Sequence, residues 1–573
     1  MEELRFEEFG TPPEPKRKSR MHRFVMLFCG AFMFASGIAA AYLAFTAEGG
    51  LPGIFYATHT LDGLQSSAYH LPSKPTTSVG PDWAEWSPAA FARAQKEGKL
   101  VLVHWTSPWC HECHLMDELC YARPGVRRWI EDHVVAVRVD SDEKPHLGRY
   151  LASGWPTTAL LLPTGEMLSA GAFMPSNRFL GWAKQTEATW RNHPDDVAKA
   201  RESAKQRARE QREQVFGRAA AAWTEEQARE ASRQIRVRLA AEVDPVEGGF
   251  GKGRKFILPQ AHRFLAESKS FDPLDKTLAG ELRLMDPVWG GLYRYSETPD
   301  WRSPRFEKLL AVQAEAIRDF TSAFLRTKDE RFKRAAERVQ NYAVTFLQRP
   351  DGFYAGAQDA DVRRADGSWI EGARFYAWTS AARLQAGLPA QVSGAPLAGN
   401  AAMAAALMSA GADLDKPDWR QQGLELAEAV ATRGLDGTGR ARHRLDQPAF
   451  AGLLEDEVAL CRMESAALRF SGDPRHRKRL QSVFQFIQTE LRDAESGGYT
   501  SAPSGARTGP EAAWPAVDPD GTAAAALCFL EAGSSHDARF AEEAARLAAW
   551  AGSHAELVEP ALLGRLAIKV SER

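Results

Sequence analysis

Val101-Leu-Val-His-Trp-Thr-Ser-Pro-Trp-Cys-His-Glu-Cys-His-Leu-Met-Asp117 is the stretch on which the reading of this 573-residue chain turns. Val101 to Trp105 is an apolar run of strand composition. A Ser-Pro-Trp turn follows. Cys110 and Cys113 then open a segment with helix-compatible composition. The order is strand, turn, Cys-x-x-Cys, helix. A helix N-terminus carries partial positive charge and unpaired N–H groups, both of which stabilise a thiolate. The first cysteine is therefore expected to be the nucleophile, partly exposed, with Cys113 one turn in and buried.

Working outward, His104 lies six residues before Cys110, where an imidazole can relay protons near neutral pH. After the apolar strand Val134–Val139 comes Gly154-Trp-Pro-Thr-Thr, a proline opening a strand. That pattern predicts a cis bond before Pro156 and a backbone edge beside Cys110 free to pair with a substrate chain. Gly165 turns the chain back in a hairpin. Together these features make the layout of a thioredoxin-type redox site, with Trp109 shielding the pair. Other readings weigh less. Cys110-His-Glu-Cys-His114 also fits the haem-attachment pattern, but haem needs none of the surrounding strand and proline signals. Zinc would draw on His111, His114 and Cys120, yet no second Cys-x-x-Cys exists. An idle cysteine pair on the same fold is the bland alternative. No metal or cofactor is expected.

The six cysteines include one close pair, which marks a site and not a disulfide scaffold. A net charge of −2 gives no reason to expect nucleic acid. The length calls for two or three domains. Residues 1–23 form a polar tail ending in a basic cluster that includes Arg20 and Arg23. Residues 24–47 carry no charge until Glu48 and are long enough to span a bilayer as an uncleaved anchor. The positive-inside rule then leaves the bulk of the chain outside the cytoplasm, in the periplasm of a bacterium. Residues 48–80 read as a linker and 81–195 as the thioredoxin-like α/β domain. Residues 196–240 read as a solvated connecting helix with i,i+4 charge pairs.

From 241 to 573, helix-period segments alternate with Gly-aromatic turns such as Gly290-Gly-Leu-Tyr and Gly497-Gly-Tyr. Recurrent helical hairpins of this kind suit an α/α toroid whose loops line a cavity, with a plain solenoid as the alternative. Glu307, Asp359, Asp361 and Asp456 are acid/base candidates there, and Trp289, Tyr293, Tyr295 and Trp301 are stacking candidates for a carbohydrate or other small ligand.

Several motifs carry a resemblance. Cys110-His-Glu-Cys-His-Leu-Met116, Val139-Asp-Ser-Asp-Glu-Lys-Pro145, Gly154-Trp-Pro, Gly290-Gly-Leu-Tyr-Arg-Tyr295, Phe306-Glu-Lys308 and Asp359-Ala-Asp361 occur in that order. They resemble the spermatogenesis-associated thioredoxin-domain proteins and their bacterial relatives. The resemblance implies a thioredoxin-like domain followed by a six-hairpin, glycosidase-like toroid. Arg305, Ala311, Val312, Gln313 and Gln358 depart from the family pattern and weigh against sugar processing. The expected function is a membrane-anchored, extracytoplasmic thiol–disulfide oxidoreductase that acts on protein thiols and uses the toroid for recognition. The alternative is a carbohydrate-active or carbohydrate-binding toroid with a vestigial redox domain.

Overall fold

The computed structural model describes residues 80–151, 154–216, 221–364, 368–436, 438–447, 450–506, 517–533 and 537–572. The expected tail and anchor, and nearly all of the linker, lie outside the described residues. Among the described residues no helix is long and apolar enough to cross a membrane.

The first domain is built on a five-stranded sheet of β1 (Ala84–Glu85), β2 (Leu100–Thr106), β3 (Val134–Asp140), β4 (Thr157–Leu161) and β5 (Met167–Gly171), in the order β1-β3-β2-β4-β5. Strand β2 is central, parallel to β3 and antiparallel to β4. Its residues Leu100 to Trp105 are all buried because both faces are covered. Leu100 and Leu102 pack with Met116, Tyr121 and Trp129, and Val101, Val103 and Trp105 pack with Phe91 and Trp86. Burying each of these side chains stabilises by about 1.5–3 kcal/mol. Helix α1 (Pro88–Glu97) starts at Ser87, whose hydroxyl accepts the Ala90 N–H, and stops at Gly98 with φ 61°. Helix α2 (His111–Met116) runs into a wide turn at Asp117–Tyr121, followed by α3 (Pro124–His133) and, after β5, α4 (Ser176–Asn192).

Residues 196–240, expected as one helix, fall into two. Helix α5 spans Pro194–Phe216, and α6 spans Glu225–Glu242 behind a capping box at Thr224 and Gln227. The second packs on the C-terminal helix and so belongs to the toroid.

The toroid is closed. Six inner helices, α7 (Pro259–Glu267), α9 (Leu310–Thr327), α11 (Leu397–Asp413), α13 (Leu454–Ser471), α15 (Pro519–Gly533) and α17 (Pro560–Ser571), pack each on the next, and α17 returns to α7. The outer helices of the described residues are α6, α8 (Phe271–Glu281), α10 (Glu330–Tyr342), α12 (Pro417–Gly434), α14 (Pro474–Phe486) and α16 (Ala538–Ser553). Helix α11 needs small residues because it is sandwiched: Ala401, Ala404, Ala406 and Ala410 are all buried. Cys461 on α13 and Cys528 on α15 form a disulfide, a correction to the expectation of one cysteine pair.

Outer helices lead to inner ones through repeated loops on one face of the ring. After α8, Asp286 accepts the Val288 N–H on its carboxylate and the Gly290 N–H on its carbonyl. Gly290 and Gly291 have φ 76° and 73°, and a Cβ on Gly291 would meet the Tyr342 ring at 2.4 Å. Asp244 and Asp493 build the same turn after α6 and α14. Buried lysines fasten two of these loops, Lys255 Nζ to Asp244 at 3.1 Å and Lys308 Nζ to Asp286 at 2.9 Å.

Candidate redox site at the domain interface

Strand β2 delivers the chain to Cys110, which caps α2 in an extended conformation, and its Sγ accepts the Cys113 N–H at 3.2 Å. Cys110 and Cys113 are joined as a disulfide, with Cα atoms 5.2 Å apart. The bond between Trp155 and Pro156 is cis, as the sequence predicts. Trp109 covers the pair. Its Nε1 donates to Asp142 at 2.8 Å, and its ring meets Trp155 edge-on at 5.4 Å. The guanidinium of Arg294, from a toroid loop, stands 4.4 Å from the Trp109 ring.

The expected exposure of Cys110 is not found: Cys110 is 2% exposed and Cys113 is fully buried. The cause is the toroid. The pair packs with Ala357, Leu309 and Val392, which lie on a small three-stranded sheet of Lys308–Leu309, Ala357–Gln358 and Gln391–Val392.

Polar contacts ring this apolar seal. His111 Nδ1 lies 2.6 Å from Asp361 Oδ2, and Arg305 Nη1 donates to Glu112 at 2.9 Å. The Ser393 hydroxyl donates to Asp142, and Arg444 pairs with Glu143. His443 Nε2 donates to the Asp142 carbonyl at 2.7 Å while its Nδ1 meets Asp456 at 2.8 Å. Burial alone would lower the His111 pKa, but the hydrogen bond and charge of Asp361, with Glu112 and Glu307, push it up to about 9. The same contest at His443 is won by Asp456, again at about 9. Burial also pushes the Asp456 carboxyl up, but the close imidazolium makes the ion pair the favoured state. For Asp361 the bond to His111 outweighs burial and holds the carboxyl below its usual range.

Residues 63–217 match the family Thioredox_DsbH, described as "Protein of unknown function, DUF255". This segment is similar to DsbH-type thioredoxin domains. The chain is also 25% identical over 346 residues to spermatogenesis-associated protein 20 of Homo sapiens, in line with the resemblance noted above. That match covers 55% of this chain and 43% of the relative, so the chain spans less than half the relative's length. Among solved structures, cellobiose 2-epimerase from Bacillus thermoamylovorans B4167 aligns with 56% of this chain and 85% of that one, at 11% identity and TM-score 0.43. A structure titled DsbH Oxidoreductase aligns with 22% of this chain and 93% of that one, at 15% identity and TM-score 0.18.

Within the thioredoxin-like domain, His104 is fully buried. Its Nδ1 lies 3.2 Å from the Tyr121 hydroxyl, which bonds Thr158 at 2.7 Å. Burial, reinforced by Arg138, holds its pKa well below the usual value, so the ring is neutral. On the toroid, Glu307, Asp359 and Asp361 come together at the His111 side of the interface, and Glu307 acts electrostatically on both His111 and Asp359. Burial, then Asp361, pushes the Asp359 carboxyl up to about 7. Tyr295 stacks on Phe256 and donates to Glu297 at 3.0 Å. Tyr293 packs with Phe306 and Tyr376 above Lys308. Trp289 stacks on Phe346 and donates to Ser380, in a neighbouring aromatic cluster.

Trp301 is not available to a ligand. It is fully buried against Gly249 and Gly280, with Nε1 donating to the Glu247 carbonyl at 2.9 Å. Asp456 stands apart from the other carboxylates, beneath His443. Sequence reasoning gave no role in docking to His111, Glu112, Asp142, Glu143, Ser393, His443 and Arg444. The only available signal was the two histidines flanking Cys113. Among the described residues, two groups have metal-ligand composition, His114 with Asp359 and Asp361, and His443 with Glu455 and Asp456.

Proposed function

We propose that this protein is a membrane-anchored, extracytoplasmic thiol–disulfide oxidoreductase whose toroid covers the redox pair and recognises its partner or ligand. The observation that carries the reading is the Cys110–Cys113 disulfide at the N-terminus of α2, with Cys110 Sγ accepting a helix N–H. That N–H and the helix N-terminus both favour negative charge on Cys110.

Reduction follows ordinary exchange. A substrate thiolate attacks Cys110 Sγ, the bond to Cys113 breaks, and the Cys113 thiolate takes up a proton. The second substrate thiol then attacks the mixed disulfide and releases Cys110 as a thiolate. The substrate dithiol ends oxidised, and the pair ends reduced by two electrons. In the opposite direction Cys110 attacks a substrate disulfide and Cys113 resolves it. Pro156 presents the backbone edge that aligns the substrate chain. A second disulfide, Cys461–Cys528, supports an oxidising compartment, as does the basic cluster before residues 24–47.

In cells, Cys113→Ala should trap mixed disulfides with partner proteins, and Cys110→Ala should trap none. Equal absence of adducts in both strains would refute the reading. The carbohydrate alternative is favoured by one observation, the gathering of Glu307, Asp359 and Asp361 on the toroid at the domain interface. Product analysis after incubation with glycans separates the two.

A further inference from the structure

Helix α2 carries a second histidine whose hydrogen bonding is unfinished. His114 Nε2 lies 3.0 Å from the Pro108 carbonyl. A carbonyl only accepts, so Nε2 bears the proton and Nδ1 keeps its lone pair. That Nδ1 is buried and has no partner. Across the interface, one carboxylate oxygen each of Asp359 and Asp361 lies with a His114 ring nitrogen inside a 4.8 Å group. His114 Nδ1 thus faces two carboxylates that are partly engaged: Asp361 Oδ2 meets His111 and its Oδ1 accepts the Gly372 N–H at 2.8 Å, while Asp359 Oδ1 accepts the Asp361 N–H at 3.2 Å. Asp359 is 3% exposed and Asp361 is 1% exposed. Glu307, 3% exposed and electrostatically linked to Asp359, also has a buried oxygen, Oε2, without a partner. Buried acceptors left unpaired cost about 1–3 kcal/mol each, more when charged. A cation placed among them would satisfy His114 Nδ1 and Glu307 Oε2 together and use the lone pairs left on the Asp359 and Asp361 carboxylates.

We propose that His114 Nδ1, Asp359 and Asp361 bind a first-row divalent cation between the thioredoxin helix and the toroid, with Glu307 as the fourth ligand. Imidazole and carboxylate together suit zinc or manganese. A metal-ligating histidine characteristically donates its other N–H to a carbonyl or carboxylate, which is what Pro108 provides. Ligand atoms around one zinc sit about 3.4 Å apart, given metal–ligand distances of about 2.1 Å. The group here is looser, its ligand atoms lying within 4.8 Å of one another. The second group of this composition differs in one respect. Both nitrogens of His443 are already engaged, by Asp456 and by the Asp142 carbonyl, so it has no free lone pair to offer.

The inference does not depend on the redox reading. It is tested on the full chain with its disulfides kept oxidised, so that no thiolate can bind the ion. Protein stripped with chelator is titrated calorimetrically with zinc and with manganese. The wild type should take up about one equivalent per chain. His114→Ala and the near-isosteric Asp359→Asn should weaken binding by at least about tenfold, and His443→Gln should bind like wild type. Circular dichroism confirms that each variant is folded. The metal-dependent rise in thermal midpoint of the wild type gives a readout that needs no variant. No uptake by the oxidised wild type, or equal affinity in wild type and Asp359→Asn, would overturn the assignment.

Discussion

Replacing Ser393 by alanine tests whether the toroid controls access to the cysteines. The Ser393 hydroxyl donates to Asp142, which sits on the loop that docks the thioredoxin domain. Hydrogen bonds to charged groups contribute about 1.5–3 kcal/mol. Asp142 keeps Trp109 Nε1 at 2.8 Å and the Ser107 hydroxyl at 3.1 Å, so the loss falls near the lower bound, about 1.5 kcal/mol. Cys110 is 2% exposed in the docked state, so a thiol reagent reaches it only after the interface opens. When opening and closing are fast relative to labelling, the rate follows the open population. A cost of about 1.5 kcal/mol then raises the alkylation rate of reduced Cys110 about tenfold. The assay is time-resolved alkylation of the reduced full chain, with site occupancy read by mass spectrometry. Arg127→Ala, which removes an exposed pair on α3, is the control and should leave the rate unchanged. An unchanged rate in Ser393→Ala, or fast labelling of Cys110 in the wild type, would refute the idea that docking shields the pair.

Other outcomes follow from the same structure. The His443 pKa is raised to about 9, so its pairing with Asp456 contributes stability that is fully present below the unfolded value near 6.5 and is lost as pH rises through about 9. The difference in thermal midpoint between wild type and His443→Gln should therefore be larger near pH 6.5 than above pH 9, where it shrinks. Removing the Cys461–Cys528 bridge by a double alanine substitution should cost about 4 kcal/mol in the chain-entropy description, because it closes a 67-residue separation, and denaturant melts would show it. Tyr121→Phe strips His104 and Thr158 of their shared hydroxyl and should destabilise the thioredoxin domain by about 1–3 kcal/mol, measured the same way.

The thioredoxin domain was legible because its signals are local. Val101 to Trp105 reads as a strand buried on both faces, and the turn, the cysteine spacing and Pro156 follow in a fixed order. The toroid was legible as helical hairpins because Gly-aromatic turns recur between its helix-period segments. What did not show was tertiary. Asp361 and His111 are 250 residues apart, and no spacing rule links them. Cys461 and Cys528 sit inside apolar helix patterns, where a cysteine reads as one more small core residue. Trp301, a stacking candidate by residue type, instead fills the space left by Gly249 and Gly280. The break between α5 and α6 was hidden in a continuous run of good helix formers, and the capping box at Thr224 was the signal that marked it.

The central claim, that Cys110 and Cys113 exchange disulfides, is tested most directly by the reduction potential of that pair in the full chain. Equilibration in graded dithiol buffers, followed by alkylation and mass spectrometry, reads both bridges in one sample. A redox-active pair should titrate between about −270 and −120 mV, while Cys461–Cys528 stays oxidised throughout. A potential for Cys110–Cys113 below about −300 mV, indistinguishable from a structural disulfide, would contradict the account.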